Sequence, residues 1–182
     1  MSVCENLVEL AKDGNSIAFD QLIAQHQGRV YALAYRILGN PDDAADVQQE
    51  TFVRAWQHLR KFRQDASFST WLHRITVNLC LSMKRRKDYA VHEQWDENVH
   101  TPDSGTACPE QTEAVIALRT VLAAMPGHHR VLIVLRDMEE RPFEEIADIL
   151  GCSVVSARTR LCKARSLLRE RMRPYLEDNH EE

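Results

Sequence analysis

The sequence predicts an all-α protein of two small helical domains joined by a flexible acidic linker, and three observations carry that reading. Apolar residues recur at spacings of three and four before Lys87 and again after Val115, and no valine- or isoleucine-rich run alternates with polar residues between tight turns. Glycine, proline and asparagine punctuate these runs at Gly14, Gly39, Asn40-Pro41, Pro126-Gly127 and Gly151, where helices stop or start. Between them, from Asp88 to Val115, seven acidic residues meet no Lys or Arg, and Pro102, Gly105 and Pro109 break any helix.

Taken in order, a short first helix ends near Asp13-Gly14-Asn15. Ser16 then caps a helix carrying Ile17, Phe19, Leu22 and Ile23, and a further helix carries Val30, Leu33, Ala34, Ile37 and Leu38 up to Gly39. Asn40-Pro41-Asp42-Asp43 is a strong helix start, with an N-cap, proline in the first turn and acids facing the positive helix end; this helix should reach about Leu59. After a loop through Lys61 to Asp65, a long helix is expected from about Ser67 to Lys87. Past the linker, Val115, Leu118 and Leu122 begin a helix that stops at Pro126-Gly127, and Val131, Leu132, Val134 and Leu135 mark the next. Phe143, Ile146, Ala147 and Leu150 share one face of a third, which Gly151 ends. Ser153 then caps a fourth, in which Val154, Ala157, Leu161, Ala164 and Leu168 step by three and four. The expected boundaries are 1–87 for the first domain, 88–112 for the linker, 113–176 for the second domain and 177–182 for an acidic tail. At about sixty residues the second domain sits near the lower limit for a self-sufficient core.

With 182 residues, 44% of them hydrophobic and 27% charged, the composition is that of an ordinary globular protein. Apolar runs such as Val131 to Leu135 are too short to span a bilayer, and Glu5 and Glu9 stand where a signal peptide needs basic residues, so a cytoplasmic protein without membrane insertion is expected. The cysteines at 4, 80, 108, 152 and 162 form no CxxC pair and are read as free thiols, with Cys80 and Cys152 at small apolar packing positions. Cys108, His128 and His129 lack a zinc-like spacing, so neither metal nor cofactor is expected. The chain has no HExxH, Gly-rich phosphate loop or nucleophile elbow, and an enzyme is not expected.

The net charge of −4 conceals segregation. From Arg54 to Lys87 nine basic residues face the single acid Asp65, and from Ser156 to Arg173 seven face the single acid Glu170. Acids instead lead two helices, at Asp42, Asp43, Asp46 and Glu50 and around Asp137 to Asp148. The pair of helices across Gly151, the second heavily basic, reads as a helix-turn-helix, whose second helix enters the major groove by its N-terminal residues. Ser156, Arg158 and Thr159 are therefore candidate base-edge readers. The block from Phe62 to Lys87 mixes aromatic and basic residues, a combination that suits single-stranded DNA. Trp71, Leu72, Ile75 and Leu79 fall at core spacing, which favours packing for Trp71; Phe62, in the loop, has no such periodicity.

Three blocks in register, Asn40 to Trp56, Phe62 to Asn78 and Phe143 to Arg165, resemble the extracytoplasmic function (ECF) sigma factors, the minimal specificity subunits of bacterial RNA polymerase. The resemblance implies that Asp46, Gln49, Glu50 and Phe52 contact core RNA polymerase at the β′ clamp helices, the β subunit also being a partner. It implies minus-ten recognition, melting and base capture by Lys61, Phe62, Arg63, Ser67, Phe68, Trp71, Asn78, Lys84, Arg85 and Arg86. Duplex DNA at the minus-thirty-five element would be read by Ser156, Arg158, Thr159, Arg160 and Lys163, with Arg165 on phosphate. The linker would thread toward the RNA exit channel, and an anti-sigma factor, often membrane-anchored, would control the whole. From the residues alone, Asp46, Gln49 and Glu50 make an acidic helix face that solvent alone can satisfy. Where the family commonly opens its recognition helix with Gly-Thr, this chain has Val155-Ser156, and a β-branched residue resists positive φ. An alternative from the residues is an operator-binding regulator whose N-terminal helices sense a ligand or dimerise. It leaves the aromatic-basic block and the acidic linker unexplained.

Overall fold

The computed structural model describes residues 3–63, 65–93 and 113–177, and every regular element among them is helical. The N-terminal half holds α1 (Val3–Lys12), α2 (Ser16–Leu38), α3 (Pro41–His58) and α4 (Phe68–Glu93), with a 3-10 turn over Leu59–Lys61. The C-terminal half holds α5 (Glu113–Ala124), α6 (Gly127–Ile133), a widened π turn over Val134–Met138, α7 (Phe143–Leu150) and α8 (Val154–Glu177).

Most helix ends follow from local chemistry. Gly39 leaves α2 in the left-handed conformation at φ 79°, donating its N–H to the Tyr35 carbonyl at 2.8 Å. One residue later the Asn40 Oδ1 accepts from the N–H groups of Asp42 and Asp43 at 2.9 and 3.0 Å, and Pro41 opens α3. Gly151 ends α7 at φ 60°. Ser153 Oγ accepts the Ser156 N–H at 3.2 Å to start α8.

Three expectations need correction. Asn15, not Ser16, caps α2, its Oδ1 accepting the Ala18 N–H at 3.1 Å. The two helices expected between Ser16 and Leu38 are one, running unbroken through Gly28. A mid-helix glycine costs about 1 kcal/mol relative to alanine; burial of Leu22 on one side and Val30, Leu33 and Ile37 on the other outweighs it. Finally, α4 continues past Lys87 to Glu93, so the first residues of the expected linker are helical. Its remainder, 94–112, and the tail from 178 lie outside the described residues.

Two apolar clusters occur among the described residues. One is N-terminal throughout, with Val8, Phe19, Leu22, Phe52, Leu59, Phe62, Phe68 and Leu72 at its centre. The other is shared by both halves: Leu33, Ile37, Val47, Val77 and Cys80 pack in one cluster with Leu122, Met125, Val131, Leu135, Ile146, Ile149 and Leu161. The small C-terminal unit thus completes its core against α2 and α4. Polar groups at this seam are matched. Arg130, 4% exposed, donates from Nε to the Arg36 carbonyl at 3.0 Å. Lys84 Nζ donates to the carbonyls of Ala123 and Met125 at 3.3 and 2.8 Å.

A Cβ on Gly39 would meet Arg130 Nη2 at 3.0 Å, whereas one on Gly14, also at positive φ, would meet nothing within 4 Å. Gly14→Ala should therefore show only the backbone penalty of about 1–2 kcal/mol. Gly39→Ala should lower the thermal midpoint by clearly more, and equal losses in a melting experiment would refute the Arg130 contact.

Candidate nucleic-acid interface

On α3, Asp46 and Gln49 are exposed and Glu50 is half-buried. They sit at i, i+3 and i+4 and line one groove between α3 and α4 with Val53, Leu79, Met83 and Arg86. Glu50 is not simply solvated: its Oε1 accepts from Arg54 Nε at 2.6 Å. Phe52 turns the other way, 8% exposed within the N-terminal core, and offers no surface to a partner. Sequence reasoning missed Val53, which is 48% exposed, and half-buried Met83, the apolar part of this groove. The i+7 spacing of Val53 from Asp46 was the available signal.

In the aromatic-basic block the structure separates packing from display. Phe62 and Phe68 are 8% and 6% exposed and belong to the N-terminal core. They enclose half-buried Trp71, with Phe62–Trp71 centroids 4.9 Å apart and Phe68–Trp71 5.7 Å apart. The loop position of Phe62 therefore misled, because a loop residue beside two aromatic neighbours, Phe68 and Trp71, loses its apolar surface to them. Trp71 keeps one edge at a shallow cleft with Asp65, Ala66, Thr70, Arg74 and, from α7, Asp148. Lys61, Arg63, Ser67, Asn78, Arg85 and Arg86 are exposed, and Arg74 joins them as a charge the candidate set omitted. Half-buried Lys84 is instead turned onto the carbonyl end of α5.

In the helix-turn-helix, Arg160 and Lys163 are exposed along α8. Half-buried Ser156 sits in the first turn, and Thr159 donates its hydroxyl to the Val155 carbonyl at 3.0 Å. Arg158 lies over the Phe143 ring at 5.1 Å, which braces it against α7. Arg165 Nε donates to Asp137 Oδ2 at 3.1 Å, an ion pair that competes with any phosphate. Val155 adopts ordinary helical backbone, since Glu140 is the only non-glycine at positive φ among the described residues. Its side chain is 73% exposed beside the base-edge candidates.

Buried titratable groups elsewhere are structural. Burial pushes the Cys80 thiol up to about 12, so it is unreactive. His26, buried against the edge of Phe68, has no partner for Nε2 among the described residues. Desolvation, then the charges of Arg29 and His73, lowers its pKa. No cluster of three His, Cys, Asp or Glu able to hold a metal occurs among the described residues, and no described helix is long and apolar enough to cross a membrane.

A fold with an α3–α4 groove, an aromatic-basic helix and a terminal helix-turn-helix is that of a sigma-70-type transcription factor. The Sigma-70 region 2 family model matches residues 22–89 and the Sigma-70 region 4 model matches 116–168. The chain is 31% identical over 183 residues to the ECF RNA polymerase sigma factor SigW of Bacillus subtilis, covering 91% of this chain and 95% of that protein. It is 32% identical over 184 residues to the ECF sigma-E factor of Escherichia coli, covering 93% and 94%. With SigE of Mycolicibacterium smegmatis the identity is 37% over 157 residues, spanning 84% of this chain and 61% of that longer protein. Among solved structures, CnrH in complex with the cytosolic domain of CnrY matches at TM-score 0.65 and 30% identity, over 96% of this chain and 97% of that one. The sigma factor RpoE of Bartonella quintana, in complex with the anti-sigma factor NepR, shares the fold at TM-score 0.67 and 23% identity, over 85% and 96%. The chain belongs to the ECF RNA polymerase sigma factor family.

The lowered pKa of His26 has a definite sign. Its folded value lies below the unfolded 6.5, so the unfolded chain binds the proton more readily and stability falls as pH drops through that value. Thermal melts at about pH 7 and about pH 5 should show this loss, and His26→Gln should reduce it. An unchanged difference would remove His26 as a cause.

Proposed function

We propose that this chain docks on core RNA polymerase through the α3–α4 groove and directs promoter-specific initiation. The α4 surface would engage the minus-ten element, and the α8 helix would read minus-thirty-five duplex. The observation that carries the reading is the distribution of charge: a groove at Asp46, Gln49, Glu50, Val53 and Met83 that Arg54 and Arg86 also line, and further exposed cations on α4 and α8. The acids and apolar side chains of the groove fit a protein helix, whereas the exposed cations fit phosphate. Boundaries near residues 1–87 and 113–176 serve the two tasks, with the polymerase supplying catalysis. Control by an anti-sigma factor is part of the proposal, supported by family membership and by the complex of RpoE, which shares the fold, with the anti-sigma factor NepR.

Val155 adds a reading of its own. Thymine C5-methyl is an apolar feature of the major-groove edge, and an exposed isopropyl group next to Ser156 and Thr159 is its natural complement.

Reversal of Asp46 and Glu50 to lysine should abolish one-to-one co-elution with core RNA polymerase in size-exclusion chromatography while helical circular dichroism is retained. Co-elution that survives would move the polymerase contact off α3. Should the wild-type protein itself fail to co-elute, the operator-binding regulator takes precedence. For the duplex, Arg160→Ala and Lys163→Ala should each weaken binding to a selected minus-thirty-five sequence by about 1–3 kcal/mol if they meet bases. Replacing a contacted thymine by uracil should weaken the wild type about fourfold, the worth of one methyl group. That effect should vanish in Val155→Ala, and its persistence there would exclude the valine.

A further inference from the structure

Three arginines border the helix-turn-helix where α8 meets the π turn and α7, and their surroundings differ in kind. Arg165 is committed to a carboxylate: its Nε and Nη2 donate to the two oxygens of Asp137. Arg136, in the π turn, gives Nη1 to the Arg141 carbonyl at 2.7 Å and lies over the Phe143 ring, its Cζ 5.0 Å from the centroid. Arg158 shares that ring, its own Cζ 5.1 Å away, yet donates to no acceptor among the described residues.

Stacking and hydrogen bonding act on an arginine in different ways. A carboxylate takes up donors, whereas an aromatic face restrains the guanidinium plane and leaves the N–H groups for another partner. Arg158 is thus oriented while its donors stay available. The ring that orients it is itself held. Phe143 is the first residue of α7 and packs, half-buried, against the cluster that contains Ile146, Ile149 and Leu161. Arg136, anchored on a carbonyl, occupies the same ring and brings a like charge close to Arg158. Electronegative atoms supplied from outside relieve that repulsion.

The position of Arg158 on α8 says which atoms these are. It stands three residues past Val155 and next to Thr159, in the first turns of the helix, the part that enters a major groove. There a planar fork of N–H donors matches O6 and N7 of guanine, and the match depends on the plane of the fork. An unrestrained arginine gives up several rotamers to make that contact. One already stacked gives up fewer, and the difference appears as affinity for the matched base.

We propose that Phe143 determines specificity through Arg158: its ring holds the guanidinium in the plane from which it reads the O6 and N7 edge of a guanine in the minus-thirty-five duplex. The inference rests on reading α8 as the duplex-binding helix. Phe143 touches no DNA in this role and acts as a positioning residue. An exposed cation–π contact is worth about two- to fivefold in an equilibrium. A bidentate arginine–guanine pair discriminates by about five- to 150-fold, so the ring sets a measurable fraction of the readout.

The test uses the full chain with a selected minus-thirty-five duplex and a set in which each base pair is changed in turn, read by competition fluorescence anisotropy. Arg158→Ala should abolish discrimination at one G·C pair and leave the salt slope of binding unchanged. Phe143→Leu, which keeps an apolar side chain without a ring, should lower discrimination about two- to fivefold at that same pair and at no other. Phe143→Tyr, which retains the ring, should retain the discrimination. In an Arg158→Ala background Phe143→Leu should add nothing. A loss spread evenly over all positions, or one that persists without Arg158, would mean that Phe143 only seats α7 on α8 and would overturn the proposal. Undiminished discrimination in Phe143→Leu would do the same. A salt slope shallower by about 0.9 in Arg158→Ala would place that arginine on phosphate, with the same consequence. A wild-type chain that binds no duplex would instead take down the reading of α8 itself, and this inference with it. If Phe143→Leu loses its helical circular dichroism, Phe143→Met carries the same measurements.

Discussion

Leu33, Ile37, Val77 and Cys80 on one side and Val131, Leu135, Ile146 and Ile149 on the other are removed from water within a single cluster. Each large aliphatic side chain so buried is worth about 1.5–3 kcal/mol, against a net folding stability of about 5–15 kcal/mol for a typical domain. The C-terminal unit shares this cluster with α2 and α4, so the seam decides where α6 and α7 lie. The seating of Arg130 against Gly39, the reach of Lys84 to α5 and the position of the Glu139–Arg141 ion pair all follow from it.

Charge then sorts the remaining surface. The acids that lead α3 and α7 sit at positive helix ends, where the backbone already favours them. Further along α3, Asp46 and Glu50 line the groove with α4, and in the last turn of α7 Asp148 lines the cleft of Trp71 and Arg74. Asp148 is thus an internal competitor for a cation otherwise available to phosphate. Arg165, paired with Asp137 inside the C-terminal half, shows the same competition on a smaller scale.

The all-helical class, the turn at Gly39-Asn40-Pro41 and the Gly151 junction were legible in the sequence because each depends on a few neighbouring residues. The exposure of Arg160 and Lys163 along α8 was legible for the same reason, since a helix displays a pattern that its own period predicts. The burial of Phe62 and Phe68 was not legible because a phenyl ring has no signature distinguishing a ring that stacks on a base from one that packs on another aromatic residue, and that of Phe52, named as a polymerase contact, because a ring on a helix is equally at home in a core. Val53 and Met83 went unnoticed because a groove exists only once two helices are laid side by side.

By itself the sequence determined the helices, most of their ends, the segregation of charge and, through three motif blocks in register, the sigma-factor family. These rest on interactions spanning one to eight residues, and local chemistry suffices for them. Only the tertiary structure decided that the two halves share a core, that Lys84 points at carbonyls, and that Asp148 stands beside Trp71 and Arg74. Those arrangements join residues roughly forty to a hundred positions apart in the chain. Loop closure over such distances is set by the sum of apolar contacts at the seam, not by any motif along the chain.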